Sequence, residues 1–189
     1  MSINDLKNII KNKRDEAEAE NSFNPQEQIN EYIILTNNLY KAIRESIKEL
    51  VDDDLVSLRM EKISIYEEGL GDYNIESLYI SFANEKVQLK PVGTMLIGSK
   101  GRVDMIGPKG IERFTLIRKG IKSPSQLIKV TVSVVGGGNL STSPEKKLTP
   151  KSTIDDWEWK ILPNEINWSK FEEVTNESII QALMRVING

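Results

Sequence analysis

The stretch from Ile97 to Gly110, IGSKGRVDMIGPKG, carries the pattern IGxKG twice, at 97–101 and again at 106–110. Glycines with a lysine between them can grip a phosphate: bare backbone N–H groups approach the anion while the ammonium neutralises it. The charge around these copies is lopsided. From Lys90 to Lys129 there are nine basic residues: Lys90, Lys100, Arg102, Lys109, Arg113, Arg118, Lys119, Lys122 and Lys129. They face only Asp104 and Glu112, a surplus of seven in a chain of formal net charge −3. Residues 1–54 hold twelve acidic against seven basic side chains. Such segregation suits a surface that meets phosphates or an acidic protein.

Few other residues offer chemistry. The chain of 189 residues has neither cysteine nor histidine. Thiolate nucleophiles, disulfides, Ser-His-Asp machinery and histidine-bound metals are therefore excluded, and a metal would need oxygen ligands alone. Asp104 and Glu112 fall on adjacent expected strands, as the metal-holding carboxylates of a PD-(D/E)xK nuclease would. That motif needs a lysine two residues after the second acid, and Phe114 stands there. Asp52, Asp53 and Asp54 read as a solvated turn, without the spacing of a calcium loop. Trp157, Trp159 and Trp168 offer either a stacking platform or core packing, and packing is the expected use. Neither GxxxxGK[ST] nor GxGxxG occurs. No catalytic residue, metal or cofactor is assigned.

The nucleic-acid-clamping GxxG loop of the KH type joins two helices, whereas both copies here are flanked by alternating apolar and polar residues. Gly107-Pro108-Lys109-Gly110 reads instead as a tight turn, with Pro at its second position and glycines at its ends. A four-residue connection there sets Asp104 opposite Arg113 and Val103 opposite Phe114. The twin pentapeptide is then mainly architecture, and the candidate partner-binding residues are Lys100, Arg102, Lys109, Arg113, Arg118 and Lys119, gathered on a basic sheet edge.

The elements that would carry them follow from periodicity. Ile3, Leu6, Ile9 and Ile10 mark a peripheral amphipathic helix within residues 1–21. Asn24-Pro25-Gln26-Glu27 opens a long helix over 25–50, about 39 Å from end to end. Its residues Ile29, Ile33, Thr36, Tyr40, Ile43, Ile47 and Leu50 keep heptad spacing, and Ile34, Leu35 and Leu39 widen the stripe. The stripe suits packing on a sheet, with homodimerisation as its other use. From 55 onward the period is two. The apolar phase slips after Met60, which suggests a β-bulge. Further strands are expected around Leu78–Phe82, Val87–Leu89, 128–134 and Asp156–Leu162. Residues 136–153 read as a mobile loop, and a helix is expected over 169–187, capped by Ser169 with Glu172.

Helices first, then strands, then a helix argue a single α+β domain over 1–189. Its antiparallel sheet of six to seven strands spans 55–162 and is packed by helices 25–50 and 169–187. No run approaches the ~18 apolar residues a membrane span needs. Lys7, Lys11, Lys13 and Arg14 also break any signal-like segment. A cytoplasmic protein with no membrane partner is expected. The function these observations favour is non-catalytic: a binding or regulatory protein of inhibitor type, presenting its basic edge to an acidic partner. A nucleic-acid binder using the same edge is the alternative, and a metal-dependent phosphoryl-transfer enzyme follows behind.

Overall fold

The structure, a computed structural model, describes residues 3–22, 24–94, 98–127, 153–162 and 170–189. Among these residues four α-helices accompany seven antiparallel strands: α1 Ile3–Ser22, α2 Pro25–Ser46, α3 Lys48–Asp52 and α4 Asn176–Asn188. The strands are β1 Ser57–Glu67, β2 Gly71–Phe82, β3 Glu85–Gly93, β4 Gly101–Ile106, β5 Ile111–Arg118, β6 Trp157–Ile161 and β7 Glu172–Glu173. They lie in chain order across one sheet, every neighbour antiparallel. No described helix is long and apolar enough to cross a membrane.

Helix α2 starts where its sequence dictates. The Asn24 side chain accepts a hydrogen bond from the Glu27 N–H at 3.2 Å, with Pro25 in the first turn. The helix breaks at Ile47, whose φ of −111° and ψ of 16° are not helical, so the expected 25–50 element is two helices. Its apolar stripe goes into the core: Ile29, Tyr32, Leu35, Thr36, Leu39, Tyr40, Ile43 and Ile47 are all buried. That leaves too little of the heptad seam for the dimer interface weighed from sequence. Burial of each large aliphatic side chain contributes about 1.5–3 kcal/mol.

The C-terminal helix begins later than Ser169. Thr175 is its N-cap, accepting from the Ser178 N–H at 3.2 Å, while Ser178 Oγ accepts from the Thr175 N–H at 2.8 Å. A serine thus takes the place of glutamate in the reciprocal cap. Glu172 belongs instead to β7, a two-residue strand with too little sequence to show a period. The expected strand 128–134, Ser169, and the expected loop 136–153 apart from Thr153 lie outside the described residues.

Residues Val103 and Phe114 pair across β4 and β5, as do Asp104 and Arg113, so the register read from the turn holds. The phase slip in β1 has another cause than a bulge. The β1–β2 register runs unbroken from Ser57↔Ser81 to Glu67↔Gly71. Yet Leu58 and Met60 pack on one core cluster, and Ile63 and Ile65 on the other. β2 pairs with β3 only through Leu78–Phe82, leaving the rest of β1–β2 as a two-stranded ribbon. Such ribbons twist more than sheets do, and the twist turns the ribbon's opposite side toward Ile29, Tyr32 and Leu35 of α2. Where β2 leaves β3, the Tyr40 hydroxyl sits 2.9 Å from the Glu76 carbonyl and 3.1 Å from that of Leu89. Ser77 Oγ also donates to Leu89, at 2.9 Å. These hydroxyls satisfy carbonyls that the split would orphan. The ribbon is tied down by Glu67, which accepts from the Thr94 N–H at 2.8 Å and from the Tyr73 hydroxyl. Burial, then that bond to Glu67, pushes the Tyr73 phenol well above its ordinary pKa. A bulge does occur elsewhere, between Pro91 and Gly93 in the β3–β4 pair.

Candidate binding face

In a strand, successive side chains point to opposite sides of the sheet, and the paired positions sort this sheet into two faces. Val103, Met105, Phe114 and Ile161 face α2 and α4. On the outer side Lys90 pairs with Asp104 and Asp104 with Arg113, a single row across β3, β4 and β5. A second outer row runs Arg102, Thr115, Lys160 and Glu173 across β4 to β7.

Asp104 is the centre of this face. Its Oδ1 lies 3.0 Å from Arg102 Nε, and Oδ2 is 3.4 Å from an Arg102 amino nitrogen. The closer contact is within ion-pair distance but misaligned, so Arg102 Nε and Asp104 Oδ1 are buried without a hydrogen-bond partner. Burial pushes the Asp104 carboxyl above its ordinary pKa, although Arg102, Arg113 and Lys90 all favour its charged form. Three cations therefore surround one carboxylate. Lys90 and Arg113 are exposed, and the described residues offer neither an ion pair.

The second row is neutralised internally. Lys160, with only 4% of its side chain exposed, is bonded by Glu173 and lies 3.0 Å from Glu158. Burial opposes its charge, but the bonds to Glu173 and Glu158 outweigh burial and raise its pKa. Thr115, buried between Arg102 and Lys160, shares a 2.8 Å hydrogen bond with Ser99. Within these two rows the surplus charge thus belongs to Lys90, Arg102 and Arg113.

The six sequence-predicted residues do not form one edge. Arg102 and Arg113 meet at Asp104. Lys100 points the other way, pairing with Glu31 of α2 and lying 5.3 Å from the Trp157 ring centre. Lys109 is at the far end of β4, where its N–H donates to the Val186 carbonyl of α4 at 2.9 Å. Arg118 and Lys119 are exposed at the opposite end of β5, beside Asp156, whose pKa falls chiefly through a backbone hydrogen bond from Thr153. Lys90, the remaining member of the cluster, belongs to the basic segment but not to these six. Its alternation with Lys86 and Gln88, on the polar phase of β3, was the available signal.

Several alternatives lose their geometry. Asp104 is on the outer face, whereas Glu112 is on the helix side and accepts from Arg185 at 2.6 Å, so the two carboxylates share no site. Among the described residues no three acidic side chains gather where they could hold a metal. Trp157 and Trp159 pack in the second core cluster, and the Trp159 indole N–H donates to the Leu35 carbonyl at 2.8 Å. Trp168 lies outside the described residues.

The twin IGxKG turns are structural in a specific way. In the second copy the Gly107 N–H donates to the Gly110 carbonyl at 3.0 Å, closing the β4–β5 turn. One glycine in each copy seats a helix. A Cβ on Gly101 would lie 2.5 Å from the Tyr32 ring of α2, and one on Gly107 2.4 Å from the Val186 carbonyl oxygen of α4.

No family model matches the chain, and comparison with curated proteins and with solved structures finds no match. The site must speak for itself.

Proposed function

We propose that this chain is a non-catalytic binding protein that engages an acidic protein partner through the outer face of its sheet, with Lys90, Arg102 and Arg113 as the contact cations. One observation carries the reading: three cations converge on a single carboxylate, and two of them are exposed with no ion pair among the described residues. On an isolated surface such a surplus costs self-repulsion. A partner's carboxylates relieve it, and the rigid sheet holds the cations in place beforehand. The neighbouring Lys160 is already matched by two glutamates, which confines the attraction to the β3–β5 rows.

The test uses labelled poly-glutamate and a duplex oligonucleotide as probes, titrated against the wild-type chain and Lys90→Gln/Arg113→Gln, which removes both cations without setting new carboxylates opposite Asp104. The reading expects saturable poly-glutamate binding that the double variant loses while its melting temperature stays put. Equal binding by both proteins refutes it. Tighter binding to the oligonucleotide, with a steep salt dependence reflecting phosphates neutralised, assigns the face to nucleic acid instead.

A further inference from the structure

We propose that the free edge of β1 is a self-association site, pairing antiparallel with β1 of a second copy of this chain, centred on Met60. The two edges of the sheet are treated differently. β7 is two residues long, and its Glu172 and Glu173 are tied to Arg185 and Lys160. Among the described residues nothing comparable blunts β1. It runs eleven residues without proline, its register is unbroken by a bulge, and none of its residues is buried. Among the described residues, positions 57–66 make main-chain hydrogen bonds to β2 alone. A long edge of unpaired N–H and C=O groups is a template for another strand.

The occupant follows from symmetry and charge. Two identical antiparallel strands are related by a twofold axis perpendicular to the sheet, which keeps each face on its own side. Only registers centred on a residue are then allowed. Centring on Arg59, Glu61 or Lys62 sets like charges against each other at the axis. Centring on Ile63 sets Arg59 against Glu67, which is already held by Thr94 and Tyr73. Centring on Met60 opposes Met60 to itself and sets Arg59 of each copy against Glu61 of the other. Within one copy these two side chains lie on the outer face 2.8 Å apart, 64% and 43% exposed, with Arg59 also 5.3 Å from the Tyr79 ring centre, and their mutual contact can be exchanged for one across the axis. The charges that commonly protect an edge are here self-complementary.

Sedimentation velocity tests this on the full chain, independently of what the outer face binds. The wild-type chain is expected to dimerise with rising concentration. Arg59→Glu and Glu61→Arg each oppose like charges twice and should weaken dimerisation roughly tenfold or more. An equimolar mixture of the two variants restores opposite charges at both positions, and association should return. Circular dichroism spectra and melting temperatures should match the wild type, because both side chains are exposed. A wild-type chain that stays monomeric, single variants that dimerise as well as it does, or a mixture that fails to recover would each overturn the proposal.

Discussion

Alanine at Gly107 and alanine at Gly110 should give opposite results, although both glycines belong to one turn. A Cβ at Gly107 would lie 2.4 Å from the Val186 carbonyl oxygen and 2.8 Å from the Val186 Cβ. Ordinary contact begins near 3.4 Å, so α4 must retreat by about 1 Å. The atom in the way is backbone, and the helix behind it buries Ile179, Ala182, Leu183 and Val186. Overpacking of this kind costs about 1–3 kcal/mol. The bond from the Lys109 N–H to the Val186 oxygen is strained as well, at a cost of about 1 kcal/mol. Together the loss is about 2–4 kcal/mol, or a melting temperature lower by roughly 5–15 °C at this chain length. At Gly110 the nearest atom is 3.9 Å away and the backbone is not left-handed, so alanine there should change stability by less than about 0.5 kcal/mol. Urea unfolding followed by tryptophan fluorescence reads both values. If Gly107→Ala is as stable as wild type, or if both variants lose equally, the helix contact is not what demands glycine.

Two further outcomes separate structural from surface charge. Lys100→Ala removes a cation whose side chain is 14% exposed and leaves Glu31, 15% exposed, without that partner; it should cost about 1–3 kcal/mol. Arg113→Ala should cost less than about 0.5 kcal/mol in the same thermal melts, and the reverse order would contradict the placement of both residues. Asp104→Asn should stabilise the chain at neutral pH. Burial raises the Asp104 pKa in the folded state, so the fold holds that proton more tightly than the unfolded chain does. The ionised carboxylate therefore weakens the fold above its folded pKa, and stability recovers as pH falls through that value. The advantage of Asp104→Asn should close below the ordinary aspartate pKa of 3.8, as urea midpoints at neutral and acid pH would show. An advantage that persists unchanged in acid would place its origin elsewhere.

Local chemistry made much of the fold legible. Asn24 and Pro25 begin α2 because a cap and a fixed φ are properties of single residues, and the GPKG turn sets the β4–β5 register because its length does. Misreadings arose where distant contacts decide. The phase slip after Met60 looks identical in sequence whether a bulge or a twisted ribbon causes it. The difference lies in β2 parting from β3 beyond Leu78, a matter of which strands pair. Thr175, and not Ser169, caps α4, and the competing stretch contains Glu172 and Glu173, whose pairing with β6 no local period announces.

The site was legible as charge but not as geometry, and the reason is general to sheets. Counting cations along a chain treats neighbours in sequence as neighbours in space, whereas a meander sends alternate residues to opposite faces and strand ends to opposite rims. Lys100 and Arg102 are two residues apart, yet Lys100 precedes the first residue of β4 and turns to Glu31 and Trp157 under α2, while Arg102 projects outward to Asp104. Lys109 follows at the next rim. Lys90, fourteen residues from Asp104, joins it because β3 and β4 set them opposite each other. The acidic helices do neutralise part of the basic segment, through Glu31 on Lys100, and β6 and β7 neutralise Lys160 through Glu158 and Glu173. Part of what escapes this internal matching is the charge that alternation places on the side of the sheet away from α2 and α4. A partner is therefore to be sought for the row Lys90, Asp104 and Arg113 with Arg102 beside it, and not for the repeated pentapeptide that first draws the eye.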